Sequence, residues 1–433
     1  VTWGQAVQRR TVPRPATHRV AVTTLDQGMS SVSNFLVGVA AARISGAKGL
    51  GVFSFAYVCW LLLAALHRAL VTDPMAIEND AWQPDAPGRL RRGLAAECSL
   101  GLGAMALSVT LAGILLLAGQ RGYGMELLAF VPWLVPLVVQ DYWRWVGFMQ
   151  KRPGKALAND TVFNVAFGVV LVLLVLAHSH SIVALTAAWG IGGLAGAVFG
   201  LWQYSVRPMG RGGVTMLRSR LHMSKWLGAN SATAWGASQV TALIAAFILG
   251  PAGLGHLRAA QTLVVGPTLV LIQAGGSVGL PEASAALANH GWAGLRRVAR
   301  IVTGAGMLSI GLVGAIVAIR GSWLLNLIYG SKGGFGHYWL SSDFFVVSVL
   351  INSMGLGAIL ILKASKQTRG LFIASIVGLL ASLVLVSVLA KLYGVPGAAA
   401  ASIPSAALSL LFMLYFKRLA RMDLARGEAA AMR

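Results

Sequence analysis

The strongest restriction on the fold is a succession of apolar runs, each long enough to cross a bilayer, with little chain between them. A helix spans the hydrocarbon in about 20 residues, and in lipid every backbone amide must be satisfied within the protein. Twelve such runs can be drawn, over about 26–43, 50–71, 94–117, 125–146, 161–178, 182–203, 226–249, 258–280, 299–319, 340–362, 370–390 and 396–416. Composition agrees: 57% of the 433 residues are hydrophobic and only 11% charged, with mean hydropathy +0.73. A soluble domain carries about 25% charged residues. The expected fold is all-α, a polytopic membrane protein.

Orientation follows from the cations. Net charge is +22, with 35 Lys and Arg against 13 Asp and Glu. With the N-terminus in the cytoplasm, 28 of the 35 cations fall in the loops and tails on that side and 7 on the other. Cytoplasmic loops retain Lys and Arg, so both termini are expected inside and the span count even. The same rule accounts for the basic pI without nucleic acid. Residues 1–25 read as a basic cytoplasmic leader before a retained first span, and 417–433 as a basic interfacial tail.

A short motif occurs twice. "ISGAKGLGVFSFAY" begins at Ile44 and "ILGPAGLGHLRAAQ" at Ile248, 204 residues later; Gly46, Gly49, Leu50, Gly51 and Ala56 match Gly250, Gly253, Leu254, Gly255 and Ala260. The first copy joins spans 1 and 2, the second spans 7 and 8. Six intervening spans keep the direction of insertion, which makes a parallel repeat about an axis along the membrane normal. The expected units are 26–203 and 226–416, joined by a basic linker at 204–225.

Absences narrow the chemistry. The chain contains no G-x-x-x-x-G-K-[ST], H-E-x-x-H, C-x-x-C or G-x-S-x-G. Its longest polar segments are near 22 residues, too short for a catalytic domain. No catalytic residue, cofactor or metal is expected, and a membrane glycosyltransferase or polymerase, or a non-transporting scaffold, is disfavoured. Cys59 and Cys98 read as packing residues, without disulfide or metal spacing.

Four stretches carry a family resemblance: "LDQGMSSVSNFLVGVAAARISGAKGLGVFSFAY", "QDYWRWVGFMQKRPGKALANDTV", "ILGPAGLGHLRAAQTLVVGP" and "LYGVPGAAAASIPSAALSLL". They resemble polysaccharide (O-antigen-type) flippases of the multidrug/oligosaccharidyl-lipid/polysaccharide exporter superfamily. The resemblance implies twelve transmembrane helices in two parallel six-helix bundles around a central cavity. It also implies alternating access and outward movement of an undecaprenyl-diphosphate-linked oligosaccharide across a bacterial inner membrane, with polysaccharide polymerases or glycosyltransferases as possible partners. The chain departs from the lipid-linked peptidoglycan-precursor branch, which has fourteen spans and deep arginines in its first helices: span 1 here has no cation between Asp26 and Arg43. A multidrug exporter of the same fold would need deep carboxylates, which the span interiors do not obviously offer.

The candidate substrate-binding residues are Ser30, Asn34, Arg68, Asn230, Ser238, Gln239, Arg258 and Gln261. For the polar faces of spans 1 and 7, which put Asn34 and Ser238 at equivalent repeat positions, both interhelical hydrogen bonding and a hydrated, sugar-facing cavity are open. For Arg68 and Arg258, headgroup snorkelling competes with contact to a diphosphate, which suits a forked, always-charged guanidinium. Asp141 and Arg144 read as a local interfacial pair, Asp160 and Asp343 as helix caps, and Pro132, Pro136 and Gly266-Pro267 as kinks.

Overall fold

The computed structural model describes residues 16–78, 80, 85–206, 212–365 and 368–431. The leader expected at 1–25 therefore lies largely outside the described residues. Every regular element described is helical: α1 (Ala16–His67), α2 (Asp73–Ile77), α3 (Ala86–Leu117), α4 (Arg121–Phe130), α5 (Leu134–Met149), α6 (Pro153–Leu176), α7 (Ile182–Tyr204), α8 (Gly213–Ile248), α9 (Gly250–Tyr329), α10 (Trp339–Met354), α11 (Leu356–Ala364), α12 (Thr368–Ala400) and α13 (Ser402–Ala431), with short π and 3₁₀ turns between some of them.

Twelve spans emerge once the helices are divided at their backbone breaks. α1 holds spans 1 and 2, separated at Gly46 (φ 65°, ψ −163°). α9 holds spans 8 and 9, separated at Gly291 (φ 56°, ψ −150°). Gly394 (φ 64°, ψ −140°) ends span 11 within α12 and begins span 12. α4 with α5, and α10 with α11, each make one span. An uninterrupted left-handed residue inside a hairpin selects glycine, since a Cβ is strained there.

Pro132 lies in a 3₁₀ turn, Val131–Trp133, that links α4 to α5. At Gly266-Pro267, where a kink is expected, α9 keeps helical dihedrals; the non-helical residues inside it are Gly291 and Arg320. The basic segments also differ from plain loops. α3 already includes Arg89, Arg91 and Arg92, and α8 starts at Gly213, so helix runs well beyond the apolar part of each span.

The repeat is visible in three dimensions. Gly46 and Gly250 share the left-handed conformation, at φ 65° and 69°. Gly51 and Gly255 face each other across the two halves: a Cβ on Gly51 would overlap the Pro251 carbonyl, and one on Gly255 the Ala47 carbonyl. Those contacts are exchanged by the 204-residue offset, so a pseudo-twofold relates them.

Around this contact one apolar core runs through both halves, including Leu50, Phe53, Leu254, Leu257 and Tyr329. At the opposite end the cores are separate. One, with Met75, Leu94, Tyr142, Trp143, Ala197 and Met216, is shared by α2, α3, α5, α7 and the start of α8; the other, with Leu295, Ala299 and Ile361, belongs to α9 and α11. The halves thus close on the Gly46 side, while on the Arg68 side the first half packs with the start of α8 and its core is separate from that of α9 and α11.

Candidate substrate cavity

A cavity of about 210 Å³ opens inside the first half. Its walls follow helical spacing: Ser30, Ser33 and Asn34 from span 1; Tyr57, Trp60, Ala64 and Arg68 from span 2; Leu137, Gln140, Asp141 and Arg144 from α5; Asp160, Phe163 and Asn164 from α6. Intervals of three and four put each set on one helix face. Trp189 of α7 completes the wall.

Two arginines organise the polar side. Arg68 forks onto Asp141, with Nε 2.7 Å from Oδ2 and Nη2 2.9 Å from Oδ1. The same carboxylate lies 3.0 Å from His67 Nε2, whose Nδ1 is 3.2 Å from Glu97. His67 and Glu97 are fully buried. Arg68 also opens a π-helical turn, Arg68–Thr72, and sits 5.1 Å from the centroid of Trp145. A π turn rotates the following residues relative to an α-helix and is frequent at functional sites.

Arg144 serves a second group. It donates from Nη2 to Asp26 at 2.7 Å and lies 3.1 Å from Asp160 through Nε. Asp160 also accepts from Ser30 Oγ at 2.8 Å and from Gln140 Nε2 at 2.9 Å. Buried charges persist where they are paired and their remaining lone pairs are filled.

This geometry corrects three readings. Asp141 and Arg144 are 3.9 Å apart, and each has closer partners on other helices, so they are no self-contained interfacial pair. Asp160 does not cap α6, which starts at Pro153; it is 4% exposed and holds span 1 to α5 and α6. Asp343 lies inside α10, which begins at Trp339. Five carboxylates at or near span ends, Asp26, Glu97, Glu126, Asp141 and Asp160, are buried among the helices, which the sequence did not reveal.

A second cluster comes from the other half. Arg258 donates from Nη2 to Gln239 Oε1 at 2.6 Å and from Nη1 to Gln261 Oε1 at 2.9 Å. Gln239 donates to Ser238 Oγ at 3.2 Å, and Ser238 donates to the Trp235 carbonyl at 2.8 Å. Trp235 in turn donates from Nε1 to the Val58 carbonyl, at 3.1 Å, beside Tyr57. Tyr57 itself lines the first cavity with Arg68, so this hydrogen bond joins the two clusters.

The structure therefore brings Ser30, Asn34 and Arg68 into one cavity and Ser238, Gln239, Arg258 and Gln261 into a neighbouring cluster. The Asn230 side chain lies outside the described residues. Asp26, Gln140, Asp141, Arg144 and Asp160 are site residues that sequence reasoning passed over. Their signal was available: a polar residue inside an apolar run is expensive, and "VVQDYWRW" places three on one face.

Comparison with solved structures matches this architecture over most of the chain. An inward-facing multidrug resistance MATE family transporter of the MOP superfamily overlaps with a TM-score of 0.75 at 10% identity, covering 94% of this chain and 99% of that one. The lipid II flippase MurJ, in an inward closed conformation, gives 0.71 at 14% identity, covering 91% and 87%. The chain has the fold of the multidrug/oligosaccharidyl-lipid/polysaccharide exporter (MOP) superfamily. Within it, residues 148–334 match the family described as polysaccharide biosynthesis protein. No curated protein matches the chain in sequence. An outward-facing MATE transporter of the MOP superfamily overlaps less well, with a TM-score of 0.59 at 11% identity and coverage of 94% and 96%.

Proposed function

We propose that the protein is a flippase, a secondary transporter that carries an anionic undecaprenyl-diphosphate-linked oligosaccharide from the cytoplasmic to the outer leaflet of a bacterial inner membrane. Both termini are cytoplasmic in this reading, which makes the Arg68 side the inner one. The units 26–203 and 226–416 rock about the Gly51–Gly255 contact, and 204–225 connects them.

The observation that carries the reading is the wall of the cleft. Hydroxyls, amides and indoles from Ser30, Asn34, Asn164, Trp60 and Trp189 line it, and the Arg258 cluster of the second half is joined to that wall through Trp235, which donates to the Val58 carbonyl beside Tyr57. Such a lining suits hydroxyl-rich sugars, and a guanidinium suits a diphosphate. Of the two candidate cations, Arg258 has charge to spare, because its side-chain hydrogen-bond partners are neutral amides, whereas Asp141 neutralises Arg68. The membrane potential can assist: an anion moving to a positive exterior gains about 2.3 kcal/mol per charge per 100 mV.

A multidrug exporter of the same fold is the second reading, favoured by the buried carboxylates. Against it, Asp26, Asp141 and Asp160 are each held by an arginine. Proteoliposomes containing the lipid-linked oligosaccharide decide the matter. Glycan should become accessible to an external lectin faster than in protein-free vesicles. Failure to move it, together with efflux of a cationic dye, would establish the multidrug reading instead.

A further inference from the structure

A pocket of about 220 Å³ on the Arg68 side, away from the cleft cavity, is lined by Trp292, Arg296, Leu414, Lys417, Arg418 and Arg421. Its residues come from two faces. Leu414, Lys417, Arg418 and Arg421 follow the i, i+3, i+4, i+7 spacing of one side of α13. Trp292 and Arg296 are one turn apart at the start of span 9, immediately after the left-handed Gly291 turns the chain. Four cations meet here, and no carboxylate is among the described side chains that line the pocket. Like charges gathered in one concavity repel unless an anion joins them.

The surroundings point to the kind of anion. Leu414 and Trp292 make an apolar wall, and the helices leaving the pocket expose Ile301 and Leu308 on α9 and Leu411 and Tyr415 on α13. A free phosphate has no use for that surface. A phospholipid has: its phosphate fits among the cations at headgroup level, and its acyl chains continue along the exposed side chains. Tryptophan belongs at the same depth.

We propose that this pocket is a specific binding site for the phosphate of an anionic phospholipid, separate from the transport cavity and independent of what the cleft carries. The full chain, purified and placed in nanodiscs, tests it by native mass spectrometry of retained phosphatidylglycerol against phosphatidylcholine. The variant Arg296→Gln/Arg418→Gln/Arg421→Gln should reduce retained phosphatidylglycerol by more than tenfold, given about fivefold per cation near a charged surface. The control Arg297→Gln/Arg300→Gln/Arg369→Gln removes equal charge outside the pocket and should change retention less than twofold. Equal loss in both variants would overturn the proposal in favour of diffuse attraction. Melting temperatures confirm that each variant is folded, and the single variants Arg296→Gln, Arg418→Gln and Arg421→Gln, each expected to lower retention about fivefold, replace the triple one if it is not. Displacement of the lipid by inorganic phosphate at millimolar concentration would likewise overturn the assignment to a lipid.

Discussion

Gly51 and Gly255 pack backbone to backbone, each lacking the Cβ that would strike a carbonyl of the opposite half, that of Pro251 for one and Ala47 for the other. The contact is the closed end of the cleft. A methyl group on either residue must push the halves apart, at a cost of about 1–3 kcal/mol for overpacking. Gly51→Ala should therefore populate a state open on the Gly46 side. In a background lacking Cys59 and Cys98, a cysteine at the fully buried Ala260 should react several-fold faster with an external maleimide when Gly51→Ala is added. Unchanged labelling would mean that the contact does not govern closure.

Arg144 compensates two buried carboxylates at once, on Asp26 and Asp160. Arg144→Gln leaves both without a cation, a loss of about 3–5 kcal/mol for a broken buried pair. The melting temperature in detergent should fall sharply. Adding Asp26→Asn and Asp160→Asn to the same protein should recover much of it, since no buried charge is then stranded.

Arg258 and Arg68 should separate in assays. Arg258→Gln should lower flux of a diphosphate-linked substrate by more than tenfold at normal melting temperature, with Arg258→Lys intermediate because it keeps charge without the fork. Arg68→Gln should show mainly as lost stability, because it strands Asp141 beside His67. Near-normal flux in Arg258→Gln removes Arg258 from the substrate path.

The start of α8 is fastened to the first half. Arg220 donates from Nη2 to Asp80 at 2.6 Å and to Glu78 at 2.7 Å, while Asp80 also accepts from Arg89 at 2.6 Å. Charge-assisted hydrogen bonds of this kind contribute about 1.5–3 kcal/mol each. Hydrogen exchange in 213–228 should accelerate in Arg220→Ala relative to the rest of α8. Uniform exchange along the helix would show that the junction is held by packing alone.

Topology has a direct test at Ser219, which is exposed on the same segment. With 28 of 35 cations assigned to the cytoplasmic side, a cysteine replacing Ser219 should be blocked by a permeant reagent and spared by an impermeant one in intact cells. Reaction from outside would invert the assigned orientation.

The amino-acid sequence by itself determined the membrane class, the twelve spans and the parallel repeat, because each rests on a local or periodic property. Runs of about 20 apolar residues have few other solutions. Gly46 and Gly250 were legible as turns, since a left-handed residue between helices favours glycine wherever it occurs. The candidate residues Arg68, Gln239, Arg258 and Gln261 were visible as polar groups in apolar surroundings. Partnership was not visible. Asp160 looked like a cap because its neighbours in sequence suggested a helix start, and only the meeting of α1, α5 and α6 places it between Ser30, Gln140 and Arg144. Asp141 and Arg144 looked like a pair because they are three residues apart, yet each reaches a closer partner from another helix. A charge in a low-dielectric interior is governed by whichever opposite charge packing brings nearest. That choice is made between helices distant in sequence, and it was decided by the tertiary structure.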